Sequence, residues 1–283
     1  MNRASKLFVG GAVLCLAGGC GPQDADTAET PATAEVAAAP AQDGLTPEEQ
    51  AQGWRMLFNG KDFTGWRGLG RDTVPTAHWR IEDGTIHKLP SGNVPVAKDG
   101  QPLAGGDLMT IDTFKDFELA FEWKISEGAN SGVKYNVSEE MSMTNPTATA
   151  ALGFEYQVLD DERHPDAKAG ANGNRTAAGL YDLIPPAANK PVKPVGEWNE
   201  GRIVFRGNHG EHWLNGVKTV EYDLGTPRMD SLLAASKYAP IKGFADRRTG
   251  HIVLQDHNDS VWYRNIRIRE LTPEQVSQAS GQR

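Results

Sequence analysis

The chain has 283 residues, with 29 Lys and Arg against 37 Asp and Glu, and a net charge of −8. An acidic chain without basic clusters argues against a partner that is a nucleic acid. Its 31 glycines and seven tryptophans are typical of a β-rich domain with many turns. About 230 residues remain after the N-terminal segments, which suits one all-β domain or a tight pair.

The first 19 residues have the layout of a secretory signal. Arg3 and Lys6 precede the apolar run LFVGGAVLCLAGG, which is too short to span a bilayer, and small residues lead to Cys20. The sequence LAGGC resembles the lipobox of bacterial lipoproteins, which implies cleavage before Cys20 and lipidation of its thiol. A plain signal peptide or an uncleaved anchor are the alternatives.

Cleavage before Cys20 would leave a mature chain with no free thiol, because Cys15 leaves with the signal. This excludes disulfides, thiolate metal sites and a cysteine nucleophile. Because the signal contains Arg3 and Lys6 and no acid, the net charge falls from −8 to −10.

Residues 20–44 are predicted to be a flexible tether. After Cys20 they contain Ala, Pro, Thr and acidic residues but no bulky apolar side chain, so they cannot bury enough surface to offset their ordering entropy. The domain is expected to cover residues 45–272, followed by a C-terminal tail at 273–283.

The domain begins with a short helix, for which Thr46 is the predicted N-cap and Glu49 completes a capping box. Helical periodicity hardly returns before the C-terminal TPEQVSQAS. Between them, Asp83-Gly84 predicts a hairpin and FELAFEWKIS alternates as a half-buried strand. Further alternating segments follow, so we expect an all-β sandwich or jelly roll with short flanking helices.

Polar side chains share the faces of several predicted strands. Lys134 lies between Val133 and Tyr135, and Glu155 and Gln157 alternate with core residues. The segment IVLQDHND ends a buried strand in a polar cluster. These residue types can hydrogen-bond sugar hydroxyls in both directions. Each of them alone is more often an ordinary exposed residue.

Seven motifs in order resemble the bacterial 3-keto-disaccharide hydrolase family. They include GWRMLFNGKDFTGWRG, HWRIEDGTI, ISEGANSGVKYNV, GFEYQVLDDERHPDA and GHIVLQDHNDSVWYRNIRIREL, and the resemblance runs from about Gly53 to Leu271. It implies a concanavalin-like jelly-roll β-sandwich. It also implies an enzyme that cleaves 3-keto-glycosides by elimination, hydrates the resulting glycal, or does both. Long loops before His78, before Asp107 and after Val137 are expected to rim the groove.

Elimination next to a ketone needs a base for the hydrogen on sugar carbon 2, a charge stabiliser for the enolate oxygen and an acid near the leaving oxygen. Glu155 or His257 is the candidate base, Lys134 the charge stabiliser, and Asp256 is expected to orient the imidazole of His257. The expected substrate-binding residues are Glu122, Asn130, Gln157, Asp160, His164, Tyr181, His212, Asn215 and Gln255.

Several of these residues have a structural alternative. Lys134 could form a salt bridge with Glu122, Asn215-Gly216 is first of all a hairpin turn, and His212 could face the groove or pair across strands. No certain cofactor is indicated, although a divalent cation is possible. The potential donors are Asp160, Asp161, His164, Asp166, Asp256, His257 and Asp259.

The competing class is a non-catalytic, lectin-like lipoprotein, since this type of sandwich also hosts binding modules. Titratable content separates the two, because a lectin groove needs aromatic platforms and amides but no base. A two-carboxylate glucanase on the same fold would want a tight acidic motif on one strand, and FEYQVLDD is the nearest.

The expected partners are a glycoside substrate, a membrane that holds the lipid anchor, and an oxidoreductase that generates 3-keto sugars; nucleic acid is not expected. Gly21, rather than aspartate, follows Cys20. The expected location is therefore the outer membrane, with the domain facing the periplasm or the cell surface.

Replacing Cys20 by Ser should abolish incorporation of labelled palmitate and move the protein from the membrane to the soluble fraction, because the lipid is the predicted anchor. Fractionation of cells expressing each form measures this. Unchanged membrane association of the variant would contradict the lipoprotein assignment.

Overall fold

The computed structural model describes residues 44–90, 92, 106–145 and 150–281. The predicted signal peptide, Cys20 and nearly all of the tether lie outside these residues. No helix in the described part of the chain is long and apolar enough to cross a membrane.

The described residues contain thirteen strands and five short helices, connected by loops. The strands are β1 (Trp54–Met56), β2 (Trp66–Gly68), β3 (Trp79–Glu82), β4 (Thr85–Lys88), β5 (Leu108–Thr110), β6 (Phe117–Ile125), β7 (Asn130–Val137), β8 (Phe154–Leu159), β9 (Asn199–Arg206), β10 (His209–Leu214), β11 (Val217–Asp223), β12 (His251–Leu254) and β13 (Val261–Glu270). The helices are α1 (Pro47–Ala51), α2 (Glu139–Thr144), α3 (Asp166–Ala169), α4 (Pro227–Ala235) and α5 (Pro273–Gly281).

The strands form two antiparallel sheets. The large sheet has eight strands in the order β11-β10-β9-β6-β13-β4-β3, with β1 also paired to β13. The small sheet has five strands in the order β2-β5-β12-β7-β8. The predicted all-β jelly-roll sandwich with short helices is therefore confirmed.

The core lies between the inner faces of the two sheets and is filled by the side chains that alternate inward along each strand. In β6 the odd-numbered residues Phe117 to Ile125 are all buried in one hydrophobic cluster, as the alternation predicts. In β13 the core residues Tyr263 and Ile266 are three positions apart, which strict alternation would place on opposite faces. A register shift between Arg264 and Arg267, with Asn265 at φ 50°, restores both to the core.

Local turn and cap signals in the sequence predict the structure correctly at three places. Asp83 and Gly84 have positive φ angles and join β3 to β4, and Asn215-Gly216 does the same between β10 and β11. At α1, Thr46 and Glu49 form the reciprocal capping box, with N···O distances of 2.8 and 3.2 Å.

Helix α4 was not predicted, and the expectation that helical structure hardly returns before the C-terminus is wrong there. Thr226 caps it and Pro227 occupies its first turn, which is a start signal. Only Met229 of the helix is buried, so the apolar period that normally reveals a helix is weak.

A polar contact crosses the core between the sheets. The hydroxyl of Tyr135 in β7 lies 2.9 Å from Nε2 of His212 in β10 and 2.7 Å from the hydroxyl of Tyr222 in β11. Burial lowers the pKa of His212 to about 3, so the ring is neutral. The expectation that His212 faces the substrate groove is corrected, because its side chain lies between the sheets.

A two-pronged ion pair joins β2 to α2. Arg67 Nη1 and Nη2 donate to the two carboxylate oxygens of Glu139 over 2.6 and 2.7 Å, and the Gly70 N–H adds a third bond. The hydrogen bond from Arg67, together with the Gly70 N–H, outweighs partial burial and lowers the pKa of Glu139 to about 2.

Glu139→Gln should lower the free energy of unfolding by about 1 kcal/mol at neutral pH, since the pair is partly exposed and screened. The folded pKa of Glu139 is depressed, so its contribution is complete above the ordinary pKa of 4.5 and is lost as pH falls towards 2. Urea unfolding of both forms at pH 7 and pH 3 measures this. An equal difference at the two pH values would contradict it.

Candidate active site

The outer face of the small sheet collects the polar residues that alternation predicted. Asn130 and Lys134 of β7 lie on this face, next to Glu155 and Gln157 of β8, while Val133 and the other intervening residues enter the core. Lys134 is paired directly with Glu155 in the strand register. The structure therefore brings these four residues together.

Glu155 and Lys134 form a buried ion pair. Their side chains are 2% and 4% exposed, and Lys134 Nζ lies 3.8 Å from Glu155 Oε2 and donates to the Ala151 carbonyl over 3.1 Å. Burial raises the pKa of Glu155, while the charge of Lys134 opposes the rise. The alternative pairing of Lys134 with Glu122 is wrong.

Gly132 makes room for this carboxylate. It stands on the same face of β7 as Lys134, and a Cβ atom there would collide with Oε1 of Glu155. The Glu155 side chain therefore leans over the β7 backbone, towards the point where Gln255 follows β12. The Gln255 N–H donates to the carbonyl of Gly132 over 2.9 Å.

Asp256 lies between a lysine and a histidine from the large-sheet side. Its Oδ1 is 2.7 Å from Nζ of Lys88, at the end of β4, and its Oδ2 is 2.6 Å from Nδ1 of His78. Lys88 and Asp256 are both fully buried side chains. Asp256 was expected to orient His257, but its oxygens are committed to Lys88 and His78 instead.

Asp107 holds the backbone of this region. Its Oδ1 accepts the N–H of Asp256 over 2.8 Å and its Oδ2 accepts the N–H of Ala151 over 2.7 Å. Burial raises the pKa of Asp107, opposed first by the charge of Lys134. Asp107 thereby connects the Lys134–Glu155 pair to the segment that carries His257.

His257 follows this anchored segment and faces another histidine. The rings of His257 and His164 meet edge to face with centroids 5.7 Å apart. Asp259, whose Oδ2 accepts the Asn130 N–H over 2.9 Å, offers an oxygen within 4.8 Å of a nitrogen of each ring. The N–H of Asp166 donates to Nδ1 of His164 over 3.1 Å.

Tyr181 and Gln157 are the remaining predicted site residues near Glu155. The Tyr181 hydroxyl donates to Asp166 over 2.8 Å, and its backbone N–H donates to the carbonyl of Glu155 over 3.0 Å. Gln157 Nε2 donates to Oδ1 of Asn130 over 3.3 Å.

Asp160 has a backbone role. Its carboxylate accepts the N–H groups of Gly128, Glu162 and Arg163. Burial alone would raise its pKa, but these bonds outweigh it and lower the pKa. Asp160 therefore shapes the loop that carries His164, whose N–H bonds the Asp160 carbonyl.

Two other residues expected to bind substrate lie elsewhere. Glu122 is on the outer face of the large sheet, where Arg264 and Asn265 bind its carboxylate at 2.7 and 2.5 Å. Asn215 sits at the β10–β11 turn and bonds the Glu200 N–H and the Pro191 carbonyl. Both expectations are corrected. For Glu122 the reason is that strand alternation alone does not say which of the two sheets a polar face belongs to. Asn215 instead takes the hairpin-turn role that was its structural alternative.

Lys88, His78 and Asp107 belong to this region but are not among the predicted site residues. For Lys88 a signal existed, because it shares the strand face of the buried Ile86, and a lysine in that position needs a buried partner. For His78 and Asp107 no signal existed, since both precede strands in irregular segments.

Two groups of described residues could offer ligands to a metal ion. One is His164, His257 and Asp259, and the other is His209, Glu211 and Glu221 on the large sheet. The other candidate donors are engaged in contacts with protein groups. Asp161, for example, lies 2.6 Å from Lys190 Nζ and also accepts the Ala177 N–H.

Lys88→Met should lower the free energy of unfolding by about 3–5 kcal/mol, because it leaves the Asp256 charge buried with a weaker set of partners. The double variant with Asp256→Asn should lose less than the sum of the single changes. Urea unfolding measures both. Lys115→Met, at an exposed lysine 3.9 Å from Asp116, is the control and should change stability by less than about 0.5 kcal/mol. Additive effects of the two buried substitutions would contradict a direct Lys88–Asp256 coupling.

Comparison with known proteins identifies the family of the chain. A family model described as 3-keto-alpha-glucoside-1,2-lyase-like domain matches residues 53–269. A Bacteroides thetaiotaomicron protein named 3-keto-disaccharide hydrolase is 41% identical over 245 residues, covering 81% of this chain and 82% of that protein. Two solved structures from Parabacteroides distasonis, provisionally named glycosyl hydrolases, are 29% and 27% identical with TM-scores of 0.68 and 0.57. They cover 81% and 77% of this chain, and the match takes in 99% of each of them. The chain belongs to the 3-keto-alpha-glucoside-1,2-lyase-like family, and the matched segment contains every charged residue of the buried cluster described above.

Proposed function

We propose that the chain is an exported, membrane-tethered enzyme that cleaves 3-keto-glycosides by elimination. The observation that carries the proposal is the buried Glu155–Lys134 pair on the outer face of the small sheet, next to the segment that carries His257. A binding module does not need a carboxylate whose burial raises its pKa.

The chemistry suits a base of this kind. A ketone at carbon 3 acidifies the hydrogen on carbon 2, so a carboxylate can remove it. The C2–H electrons then delocalise into an enolate, which re-forms the ketone as the C1–O bond breaks and a C1–C2 double bond appears. The aglycone leaves with a proton from an acid. Neither an oxidant nor a reductant is consumed.

The surroundings of Glu155, Lys134 and His257 indicate which of them is the base, the charge stabiliser and the acid. Glu155 is the base, because its raised pKa brings its basicity closer to that needed for proton abstraction. The Lys134 charge beside it favours the ionised carboxylate and the developing enolate. His257 is the proton donor to the leaving oxygen, held at the end of a segment that Asp107 and Lys88 anchor.

Addition of water across the new double bond would complete the reaction. The sum of elimination and hydration is hydrolysis of the glycosidic bond. This agrees with both the lyase in the family description and the hydrolase in the name of the Bacteroides thetaiotaomicron relative. The substrate requires an enzyme that oxidises a sugar at carbon 3, so we include such an oxidoreductase among the partners.

The location is part of the same proposal. The basic start, the short apolar run and LAGGC support export and a lipid anchor at Cys20. The acid-rich and alanine-rich segment up to residue 44 would hold the domain away from the membrane.

Glu155→Gln and His257→Gln should each reduce turnover of a 3-keto disaccharide at least about 100-fold, the usual scale for a general acid–base group. Glu155→Gln should also abolish exchange of the carbon 2 hydrogen with solvent deuterium, measured by mass. In the wild type, kcat/KM should fall at acidic pH with an apparent pKa above 4.5, because protonated Glu155 is no base.

Glu200→Gln removes an exposed carboxylate from the large sheet and serves as the matched control. The unoxidised disaccharide is the substrate control and should stay intact. If both site variants fold and turn over the 3-keto substrate at near wild-type rates, the catalytic assignment fails and a lectin-like role takes its place.

A further inference from the structure

The orientation of the His164 ring restricts what its two nitrogens can do. The backbone N–H of Asp166 donates to Nδ1 over 3.1 Å. An amide N–H can only donate, so Nδ1 must offer its lone pair and carries no proton. The ring is then neutral, with its proton on Nε2. Burial lowers the pKa of His164, which favours the same neutral form.

This tautomer excludes three roles for His164. An imidazolium acid needs protons on both nitrogens, and a base needs a free lone pair, but that of Nδ1 is occupied. To bind a metal ion, His164 would have to use the lone pair of Nε2, but in this tautomer Nε2 carries a proton and has no lone pair to offer. Metal-binding histidines usually donate their second N–H to a partner, whereas Nδ1 of His164 accepts one.

What remains is a hydrogen-bond donor, and two intervening residues connect it to the strand that carries the proposed base. Asp166 bonds the Tyr181 hydroxyl, and the Tyr181 N–H bonds the Glu155 carbonyl. On its other side, His164 meets the ring of His257. The His164 ring is half-buried, so it retains some access to solvent and to a ligand.

We propose that His164 is a catalytic residue that donates its Nε2–H, as a neutral imidazole, to the carbon 3 oxygen of the substrate. Negative charge develops on that oxygen when the carbon 2 proton moves to Glu155. The His164 proton stays on Nε2 throughout, so no proton is transferred in this contact. The amide of Asp166 is a positioning group, because it fixes the tautomer without touching substrate. This inference rests on the proposed function.

The neutral donor has a physical advantage over a cation in this place. Lys88 and Lys134 already balance much of the negative charge of Asp107, Asp256 and Glu155. A further cation near Glu155, in addition to Lys134 and Lys237, would lower the pKa of the base and weaken it. A neutral N–H stabilises the enolate oxygen without that cost, and one such donor is worth about 10²–10³ in rate.

Three substitutions of His164 separate the possible roles, because amides mimic individual ring nitrogens. The amide of Gln reaches the position of Nε2 and can still donate there. Asn reaches only the position of Nδ1, so it can accept the Asp166 N–H but offers no donor to substrate. Glu reaches the Nε2 position as an acceptor and a potential metal ligand.

We expect His164→Gln to keep kcat within about 10-fold of wild type, and His164→Asn and His164→Glu to lose about 10²–10³. Equal losses for Gln and Asn would indicate proton transfer and overturn the proposal. Activity of His164→Glu above that of His164→Gln, with Mn²⁺ binding measured by calorimetry, would indicate a metal ligand and also overturn it.

A spectroscopic measurement tests the tautomer independently of activity. Long-range ¹H–¹⁵N spectra of the wild type, labelled at its seven histidines and assigned with the His164→Gln variant, should show an unprotonated Nδ1 and a protonated Nε2 from pH 7 to 9. An Nδ1–H tautomer or an imidazolium in that range would refute the inference. An inactive Glu155→Gln with a fully active His164→Asn would refute this inference alone. An active Glu155→Gln would refute the proposed function instead.

Discussion

The contact between Asp256 and Lys88 is the constraint on which the site depends. Asp256 follows β12 of the small sheet, whereas Lys88 ends β4 of the large sheet, and both side chains are fully buried. An unpaired charge in such a place costs several kcal/mol, so the two sheets are fixed at the position where the charges meet. Nδ1 of His78, which precedes β3 of the large sheet, lies 2.6 Å from the second oxygen of Asp256.

This contact helps to fix the positions of the proposed catalytic residues. Asp107 holds the Asp256 N–H, and His257 is the next residue along the chain. Asp107 also lies close enough to Lys134 for that charge to oppose the rise in its own pKa. A connected series of charged residues thus runs from Lys88 through Asp256, Asp107 and Lys134 to Glu155. A site held in this way needs little reorganisation when charge develops on a substrate.

Strand alternation predicted the fold and one half of the site. It works for β7 and β8 because each strand has one face in the core, so Lys134, Glu155 and Gln157 must share the other. It failed for Glu122, which also alternates with core residues, because period two does not distinguish the outer faces of two different sheets. Helix α4 was not predicted because it buries too few apolar side chains to produce a helical pattern of hydrophobic residues.

The other half of the site depends on long-range contacts that no local pattern encodes. Asp256 was expected to act on its neighbour His257, but its partners are 178 and 168 positions away in the chain, at His78 and Lys88. The role of the Asp166 amide is equally invisible in sequence, because it comes from the backbone and every residue except proline has such a group.

The buried His212 makes external acidity part of the folding equilibrium. In the unfolded chain its ring would take up a proton near pH 6.5, whereas in the core it remains neutral down to about pH 3. Between these values the unfolded state binds one more proton, so His212 removes up to about 1.4 kcal/mol of stability for each unit by which the pH falls. If the domain is exported as proposed, no cytoplasmic buffer protects it from this loss. A core residue that takes no part in the chemistry then contributes to the lower pH limit of its stability.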